Sequence, residues 1–329
     1  MTTSQQSPAP VLAPFRVEPR FDTRVWGFRD LRPWYDRIAE GDPIGEVWLT
    51  GDDCRIATGP HAGTNLAALF REDHQALLGP DAPSPESPLL IKMLFAKEKL
   101  SVQVHPDDKM AQKYGNPRGK TECWYALAAE PGAQVAVGLK PGSTLDQVRE
   151  EIHAGTLESS LALLPVEQGD MIFVDAGTVH AIWPGAILLE TQQNCDITYR
   201  MFDYGRPREL HVERSLEAAK LVTRAGKVAP QQLRDRTVLI DVEYFRVEKI
   251  PVQDTRTSAS LAGAGGKRGL AWLFAADGAG RLSGEGFEAV DLPARGIVCV
   301  PAAAPEFVLE DRGGLDLIRI TPNWPEMAR

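Results

Sequence analysis

The sequence lacks the features that mark membrane, secreted and nucleic-acid-binding proteins. No stretch approaches the roughly 18 consecutive apolar residues of a membrane-spanning helix. The opening segment, MTTSQQSPAPVLAPF, has no charged region followed by a long apolar run, so no secretory signal is predicted. The formal net charge is −9, and there is no block of basic residues. The sequence therefore predicts neither a membrane nor a nucleic-acid partner.

Cysteine and histidine are scarce and unevenly placed. The 4 cysteines are far apart and form no CxxC pair, which predicts reduced thiols and a cytoplasmic location. Of the 6 histidines, none follows His211. A metal site that uses histidine must therefore come from the earlier part of the chain.

Short apolar runs separated by glycine and proline dominate the sequence. The chain has 329 residues, 43% of them hydrophobic, with 29 glycines and 25 prolines. This pattern predicts a mainly β protein with enough core for one large or two modest domains. The predicted strands are Leu89–Ala96, Leu100–His105, Glu122–Ala128, Gln134–Leu139, Met171–Val174, Ala186–Gln192, Ile197–Tyr204, Phe245–Ile250, Leu270–Ala275, Gly296–Pro301 and Leu315–Ile320.

Helices are fewer, and a polar segment suggests a boundary between domains. Lys109–Tyr114 follows aspartates that can cap it, Ser143 can cap a helix that ends at Ala154, and Glu213–Val222 has high helix propensity. Residues 223–236 are largely polar and contain a proline. We therefore predict two strand-rich domains, 1–230 and 231–329.

Polar side chains alternate with apolar ones in the segment LSVQVHPDD at 100–108. In a strand, Ser101, Gln103 and His105 share one face, while Val102 and Val104 face a core. Three polar groups in so apolar a run would be costly to bury without partners. A polar pocket or a metal ion would remove that cost.

Further ligand candidates come from two other segments. In GKTECWY at 119–125, alternation places Lys120, Glu122 and Trp124 on one face, and a strand after Gly169 leads to a turn that presents His180. Two imidazoles and two oxygen donors suit Zn²⁺, with Mn²⁺, Fe²⁺ or Co²⁺ as alternatives. The candidate ligands are Gln103, His105, Glu122 and His180.

Histidine and cysteine side chains often have a purely structural role, and this interpretation applies to several of them here. A lone histidine on a strand is usually hydrogen-bonded or exposed, and His61, His74 and His153 are interpreted as surface or loop residues. The role of His211 stays open. Cys123 should face away from the pocket if Glu122 faces it, which indicates a core residue.

Several blocks together resemble the type I mannose-6-phosphate isomerases, particularly the short bacterial form. The resemblance covers roughly residues 20–215, and the C-terminal third matches only in general character. The blocks that carry it are LSVQVHPDD (100–108), GKTECWYAL (119–127), DAGTVHAI (175–182), LLETQQNCDITYRMFDYGR (188–206) and LHVE (210–213).

The resemblance implies two cupin-like antiparallel β-barrels or jelly rolls with short helical insertions. The domain 1–230 would hold one Zn²⁺, bound by the four candidate ligands, and the domain 231–329 would be degenerate and without a metal site. The active-site arginine of the family matches Arg200, and pocket residues match Ser101, Lys120 and Glu190. One departure is Asp175, where the general cupin pattern has proline.

The implied reaction interconverts mannose 6-phosphate and fructose 6-phosphate through a cis-enediol. Arg200 is expected to stabilise the enediolate or fix a substrate oxygen, and Ser101 and Lys120 to contact the substrate or its phosphate. Arg200, Lys120 and Glu190 are the candidate catalytic residues. Glu190 is a candidate for proton transfer or for orienting Arg200. An ion pair between Lys120 and Glu190 is the structural alternative. At the level of function, the alternatives are another metal-dependent cupin enzyme, such as a dioxygenase, and a non-catalytic sugar-phosphate-binding cupin.

Overall fold

Antiparallel strands are the main regular secondary structure among the residues that the structure describes. The computed structural model describes residues 12–80, 82–262 and 269–324. The strands are β1 (Phe15–Val17), β2 (Arg20–Phe28), β3 (Ile44–Thr50), β4 (Leu89–Phe95), β5 (Val102–Val104), β6 (Glu122–Ala129), β7 (Gln134–Leu139), β8 (Leu161–Pro165), β9 (Met171–Val174), β10 (His180–Ile182), β11 (Ala186–Gln193), β12 (Tyr199–Phe202), β13 (Gly226–Lys227), β14 (Gln231–Gln232), β15 (Thr237–Asp241), β16 (Phe245–Pro251), β17 (Thr255–Thr257), β18 (Ala271–Asp277), β19 (Gly280–Gly284), β20 (Val290–Leu292), β21 (Ile297–Val300), β22 (Phe307–Asp311) and β23 (Asp316–Pro322).

The helices are short and lie between strands. They are α1 (Leu66–Leu78), α2 (Asp108–Lys113), α3 (Leu145–Ala154), α4 (Val212–Ala218) and α5 (Ser258–Leu261), with a 3₁₀ turn at Leu157–Ser160. Within the described ranges, none of them has the length and apolar character needed to cross a membrane.

Residues 20–50 and 88–230 form one compact unit, called here the central unit. Its two sheets have the strand orders β13-β9-β6-β11-β4-β3-β2 and β12-β5-β10-β7-β8. The sheets face each other across a shared core that includes Leu94, Trp124, Val135 and Ile182. Such paired antiparallel sheets, joined by short helical segments, are the mainly β, cupin-like architecture that the sequence predicted.

The five-stranded sheet separates two environments. Its outer face packs Val102 and Val104 of β5 against apolar side chains of the helices, including Ile152 of α3 and Leu216 of α4. Because side chains alternate along a strand, Gln103 between the two valines faces the other sheet. The helices therefore cover one face, while the opposite face carries Gln103 beside the apolar core that is shared with the other sheet.

Local capping explains where two of the helices begin. The Asp107 side chain accepts a hydrogen bond from the Met110 N–H, as the sequence predicted for α2. The prediction that Ser143 caps α3 was wrong. Thr144 accepts the hydrogen bond from the Gln147 N–H, and the Ser143 hydroxyl instead donates to a backbone carbonyl.

The second compact unit, called the terminal unit, contains the described parts of residues 1–19, 51–87 and 231–329. Its sheets have the orders β1-β21-β18-β23-β16-β15-β14 and β17-β22-β19-β20, and they enclose their own apolar core. This division differs from two contiguous domains split at residue 230. Phe15 pairs with Cys299, and Leu77 of α1 accepts a hydrogen bond from Ala302, so early segments pack with late strands.

Candidate metal centre and adjoining cavity

Two imidazoles and one carboxylate converge inside the central unit. The Nε2 atom of His105 lies 3.6 Å from Glu122 Oε2, and Nε2 of His180 lies 3.5 Å from Glu122 Oε1. The two imidazole ring centroids are 4.7 Å apart. All three side chains are buried, with about 1% of each exposed. One atom from each residue can therefore reach a single ion, since these atoms lie within 4.8 Å of one another.

The backbone fixes which nitrogen of each imidazole faces this cluster. His105 Nδ1 lies 2.8 Å from the Ile197 carbonyl oxygen, and His180 Nδ1 lies 2.9 Å from the Thr178 carbonyl oxygen. A carbonyl only accepts, so each Nδ1 carries the proton and donates it. The Nε2 lone pairs are then directed toward Glu122, in the way that backbone hydrogen bonds orient histidine ligands at metal sites.

Gln103 completes the set of candidate ligands. It pairs in register with His180 on one side and Arg200 on the other. Its Nε2 lies 3.2 Å from His180 Nε2, and its Oε1 accepts a hydrogen bond of 3.3 Å from the Ser101 hydroxyl. An amide binds a cation through oxygen, so Gln103 would act as a ligand with its amide turned by 180°.

Burial sets the protonation states of the cluster. Desolvation, followed by the charge of Lys120, lowers the pKa of His105 well below its ordinary value, and desolvation lowers the pKa of His180 to about 4. Desolvation, followed by the nearby Glu190 carboxylate, raises the pKa of Glu122 to about 7. The imidazoles are therefore in the neutral form that binds metal, whereas the carboxylate is costly to ionise without a cation.

The polar atoms of the cluster fit a divalent cation. His105 Nε2 and Glu122 Oε1 are buried and have no hydrogen-bond partner among the described residues. Buried polar atoms normally have a hydrogen-bond partner, so these two atoms without one need an explanation. An ion bound by nitrogen and oxygen donors would satisfy them, and this donor set suits Zn²⁺ and its borderline neighbours.

A polar cavity of about 330 Å³ adjoins the cluster. Gln103 and Lys120 link the two features, because both line the cavity while Gln103 contacts His180 and Lys120 Nζ lies 3.1 Å from Glu122 Oε2. The lining residues are Arg24, Trp26, Glu46, Lys92, Leu94, Leu100, Ser101, Gln103, Lys120, Ile182, Glu190, Asp196, Thr198, Arg200 and Arg208.

Lys92 lines the cavity and was not predicted as a site residue, although the sequence carries a signal for it. It is the only charged residue in β4, and it pairs in register with Glu190. Its Nζ lies 2.9 Å from Glu190 Oε2 and 3.7 Å from Glu46 Oε2, and the ion pair is buried. The segment LLIKMLF contains one lysine in an apolar strand. Because a buried lysine requires a charged partner, this pattern could have predicted that Lys92 belongs to a buried ion pair.

Glu190 is held by Lys92 and by Trp124 rather than by Lys120. The indole N–H of Trp124 donates to Glu190 Oε1 at 3.1 Å. Burial alone would raise the pKa of Glu190, but the charges of Lys92 and Lys120 outweigh it and lower that pKa. Glu190 is thus an ionised carboxylate that lines the cavity.

Arg200 presents a guanidinium to the same cavity from β12. One terminal nitrogen donates to the Glu209 carbonyl oxygen at 2.9 Å, and its buried Nε has no hydrogen-bond partner within the described ranges. Burial, followed by the charge of Arg208, lowers the pKa of Arg200. Two arginines therefore lie near each other at the cavity, which suits an anionic group.

The fold and the geometry define a cupin-type β protein with a candidate cation site inside one barrel. Residues 15–139 match the model of the type I phosphomannose isomerase catalytic domain. The chain is 34% identical over 250 residues to a mannose-6-phosphate isomerase from Streptococcus mutans, an alignment that covers 72% of this chain and 78% of that protein. This chain belongs to the mannose-6-phosphate isomerase family.

Solved structures share the whole fold. The crystal structure of the mannose 6-phosphate isomerase from Bacillus subtilis is similar with a TM-score of 0.82 and 29% identity, covering 94% of this chain and 100% of that one. A mannose 6-phosphate isomerase described as holo and zinc-bound has a TM-score of 0.77 and 15% identity, covering 95% of this chain and 100% of that one. At 15% identity, the similarity to the zinc-bound structure shows a shared fold alone.

Proposed function

We propose that this protein interconverts mannose 6-phosphate and fructose 6-phosphate. The observation that carries the proposal is the buried cluster of His105, Glu122 and His180 directly beside a cavity that presents lysine and arginine. Family membership indicates that the substrate is a sugar phosphate. The lysine and arginine side chains of the cavity provide the positive charge that binds a phosphate group. A cytoplasmic location is part of the proposal, because it fits a soluble metabolic substrate and the widely spaced cysteines.

We propose Zn²⁺ as the cofactor, held by His105, Glu122, His180 and Gln103. The buried atoms without partners and the mixed nitrogen and oxygen donors support this choice. When bound, the ion supplies Lewis acidity that polarises substrate oxygens.

The chain's own residues carry the proton and the charge. In the proposed mechanism, a proton leaves C2 of the aldose and returns at C1, while the proton of the C2 hydroxyl moves to the C1 oxygen. Negative charge develops on these two oxygens in the enediol. Glu190 is the proposed group for proton transfer, because Lys92 keeps it ionised and an ionised carboxylate can accept a proton. The guanidinium of Arg200 stabilises the developing charge from the cavity wall.

Ser101 and Lys120 contact the substrate in the proposal, and Lys120 also has a catalytic role. The Ser101 hydroxyl donates to Gln103 and lines the cavity, so it can fix that ligand and contact a substrate oxygen. Lys120 lies against Glu122 and also lines the cavity. Its ammonium can receive an anionic substrate oxygen while it balances the charge of the ligand carboxylate.

A coupled assay for fructose 6-phosphate formed from mannose 6-phosphate tests the proposal. The purified protein should show turnover, a chelator should abolish it, and added Zn²⁺ should restore it. Turnover that survives removal of all bound metal, or no turnover at full zinc occupancy, would refute the proposal.

Two variants separate the roles of ligand and catalytic residue. Arg200→Ala should lose activity and keep its metal, whereas His180→Ala should lose metal because one imidazole donor is gone. Metal content measured by elemental analysis checks both. Most of the turnover surviving in Arg200→Ala, or unchanged metal in His180→Ala, would contradict these assignments.

A further inference from the structure

At Arg200, the outer edge of β12 is hydrogen-bonded by His211, through its ring and its backbone N–H, rather than by another strand. This strand is at the edge of its sheet, with β5 on its inner side. The Arg200 N–H donates to His211 Nδ1 at 3.1 Å, and the His211 N–H donates to the Arg200 carbonyl oxygen at 2.7 Å. Edge strands normally leave such groups to solvent. At Arg200 one histidine satisfies both.

The same short segment also holds the guanidinium. The Glu209 carbonyl oxygen accepts a hydrogen bond of 2.9 Å from a terminal nitrogen of Arg200. Residues 209–211 thus contact the Arg200 backbone at two atoms and its side chain at a third. The direction in which the guanidinium enters the cavity is set by these three hydrogen bonds.

His211 is itself fixed by the helix that follows it. Both the N–H and the hydroxyl of Ser215 donate to the His211 carbonyl oxygen, at 2.8 and 2.7 Å, and Leu216 anchors α4 in the apolar core. Because His211 Nδ1 accepts a hydrogen bond, the neutral ring carries its proton on Nε2, which lies 3.9 Å from the Glu209 carboxylate. The imidazole is therefore a hydrogen-bond acceptor at a fixed place.

We propose that His211 is a positioning residue for the isomerase reaction. Its Nδ1 atom fixes the backbone of Arg200 and thereby the place of the guanidinium that contacts the substrate. This inference rests on the proposed function, in which Arg200 stabilises the charge of the reacting oxygens. A displacement of about 1 Å in such a group costs up to about 100-fold in rate.

A matched pair of amides separates positioning from a general structural role. In His211→Asn the side-chain oxygen can occupy the place of Nδ1, whereas in His211→Gln the longer side chain carries its amide beyond that place. We expect kcat to fall about 10- to 100-fold in His211→Gln and in His211→Ala. In His211→Asn it should stay within about threefold of wild type, and KM should change little in all three variants.

The controls are a second histidine and the metal content. His153→Ala changes an exposed histidine in the last turn of α3 and should leave kcat unchanged. Zinc content should equal that of wild type in every variant, because no candidate metal ligand is altered. Circular dichroism and thermal unfolding establish which variants fold, and the Asn and Gln pair decides the question if the Ala variant does not.

The results distinguish this inference from the function on which it rests. Wild-type turnover with an undiminished kcat in His211→Gln would overturn the inference alone. A folded His211→Asn variant that is as slow as His211→Gln would also overturn it. No turnover in the wild-type protein at full zinc occupancy would refute the proposed function and the inference with it.

Discussion

Zinc binding should release a proton from Glu122. Without a cation, burial raises the pKa of this carboxyl to about 7, while the pKa values of the two imidazoles lie well below that. A group with pKa 7 holds about 0.9 proton at pH 6, about 0.5 at pH 7 and about 0.1 at pH 8. A metal ligand must be deprotonated, so these fractions are the protons released for each ion bound.

The sign of the pH dependence follows from the same value. Below pH 7 the ion competes with a bound proton, so zinc affinity should fall about tenfold for each pH unit. Above pH 8 the carboxylate is already ionised, and this contribution becomes constant. Calorimetric titration of the metal-free protein, repeated in two buffers with different ionisation enthalpies, gives the number of protons directly.

Glu122→Gln is the matched control, since it keeps the size of the side chain and removes the titrating proton. Its zinc affinity should be weaker and should no longer depend on pH between 6 and 8. A wild-type protein that releases no proton at pH 6 would refute this reasoning. So would a Gln variant that releases as many protons as wild type, because another group would then be responsible.

The remaining predictions concern stability and thiol reactivity. Lys92→Met should lower the free energy of unfolding by about 3–5 kcal/mol, because it leaves the buried Glu190 carboxylate without its positively charged partner. Urea unfolding measures this, and wild-type stability would contradict a structural role for the pair. Thr144→Ala should cost about 1 kcal/mol by removing the cap of α3, whereas Ser143→Ala should cost clearly less in the same experiment. Cys299 is buried and its thiol pKa is raised by desolvation, so it should react with thiol reagents only after unfolding, and labelling in native buffer would refute that.

The apolar and alternating runs predicted seven of the twelve strands in the two sheets of the central unit, whereas β2, β3, β8, β10 and β13 were not predicted. The predicted strands Gln134–Leu139 and Met171–Val174 have the same bounds in the structure, and most of the others differ by one to three residues. The pattern is strong here because each sheet has one face against an apolar core. The same alternation placed Gln103, Glu122 and Lys120 in one interior, although it could not give the distances between them.

Helix α1 was not predicted, although part of its signal is present. Asn65 caps it by accepting a hydrogen bond from the Ala68 N–H, and Leu66 and Leu69 begin an apolar face. At Asp73 the backbone leaves helical geometry, with φ −128° and ψ 34°. The apolar spacing changes phase at that point, so a single helical period does not describe the segment.

Long-range pairing limited the prediction of domains. A strand near the start of the chain, β1, pairs with β21 close to its end, and α1 packs with the loop after β21. Local propensity carries no information about partners so distant in sequence. The close approach of Lys92 to Glu190 is of the same kind, because it depends on the register between β4 and β11.

A crystal of the protein grown with Zn²⁺ tests the central claim most directly, with diffraction recorded on both sides of the zinc absorption edge. We expect a single strong anomalous peak in the central unit, about 2.0–2.2 Å from His105 Nε2, His180 Nε2 and a Glu122 oxygen. A peak at any other place in the chain, or none between these three side chains at saturating zinc, would contradict it.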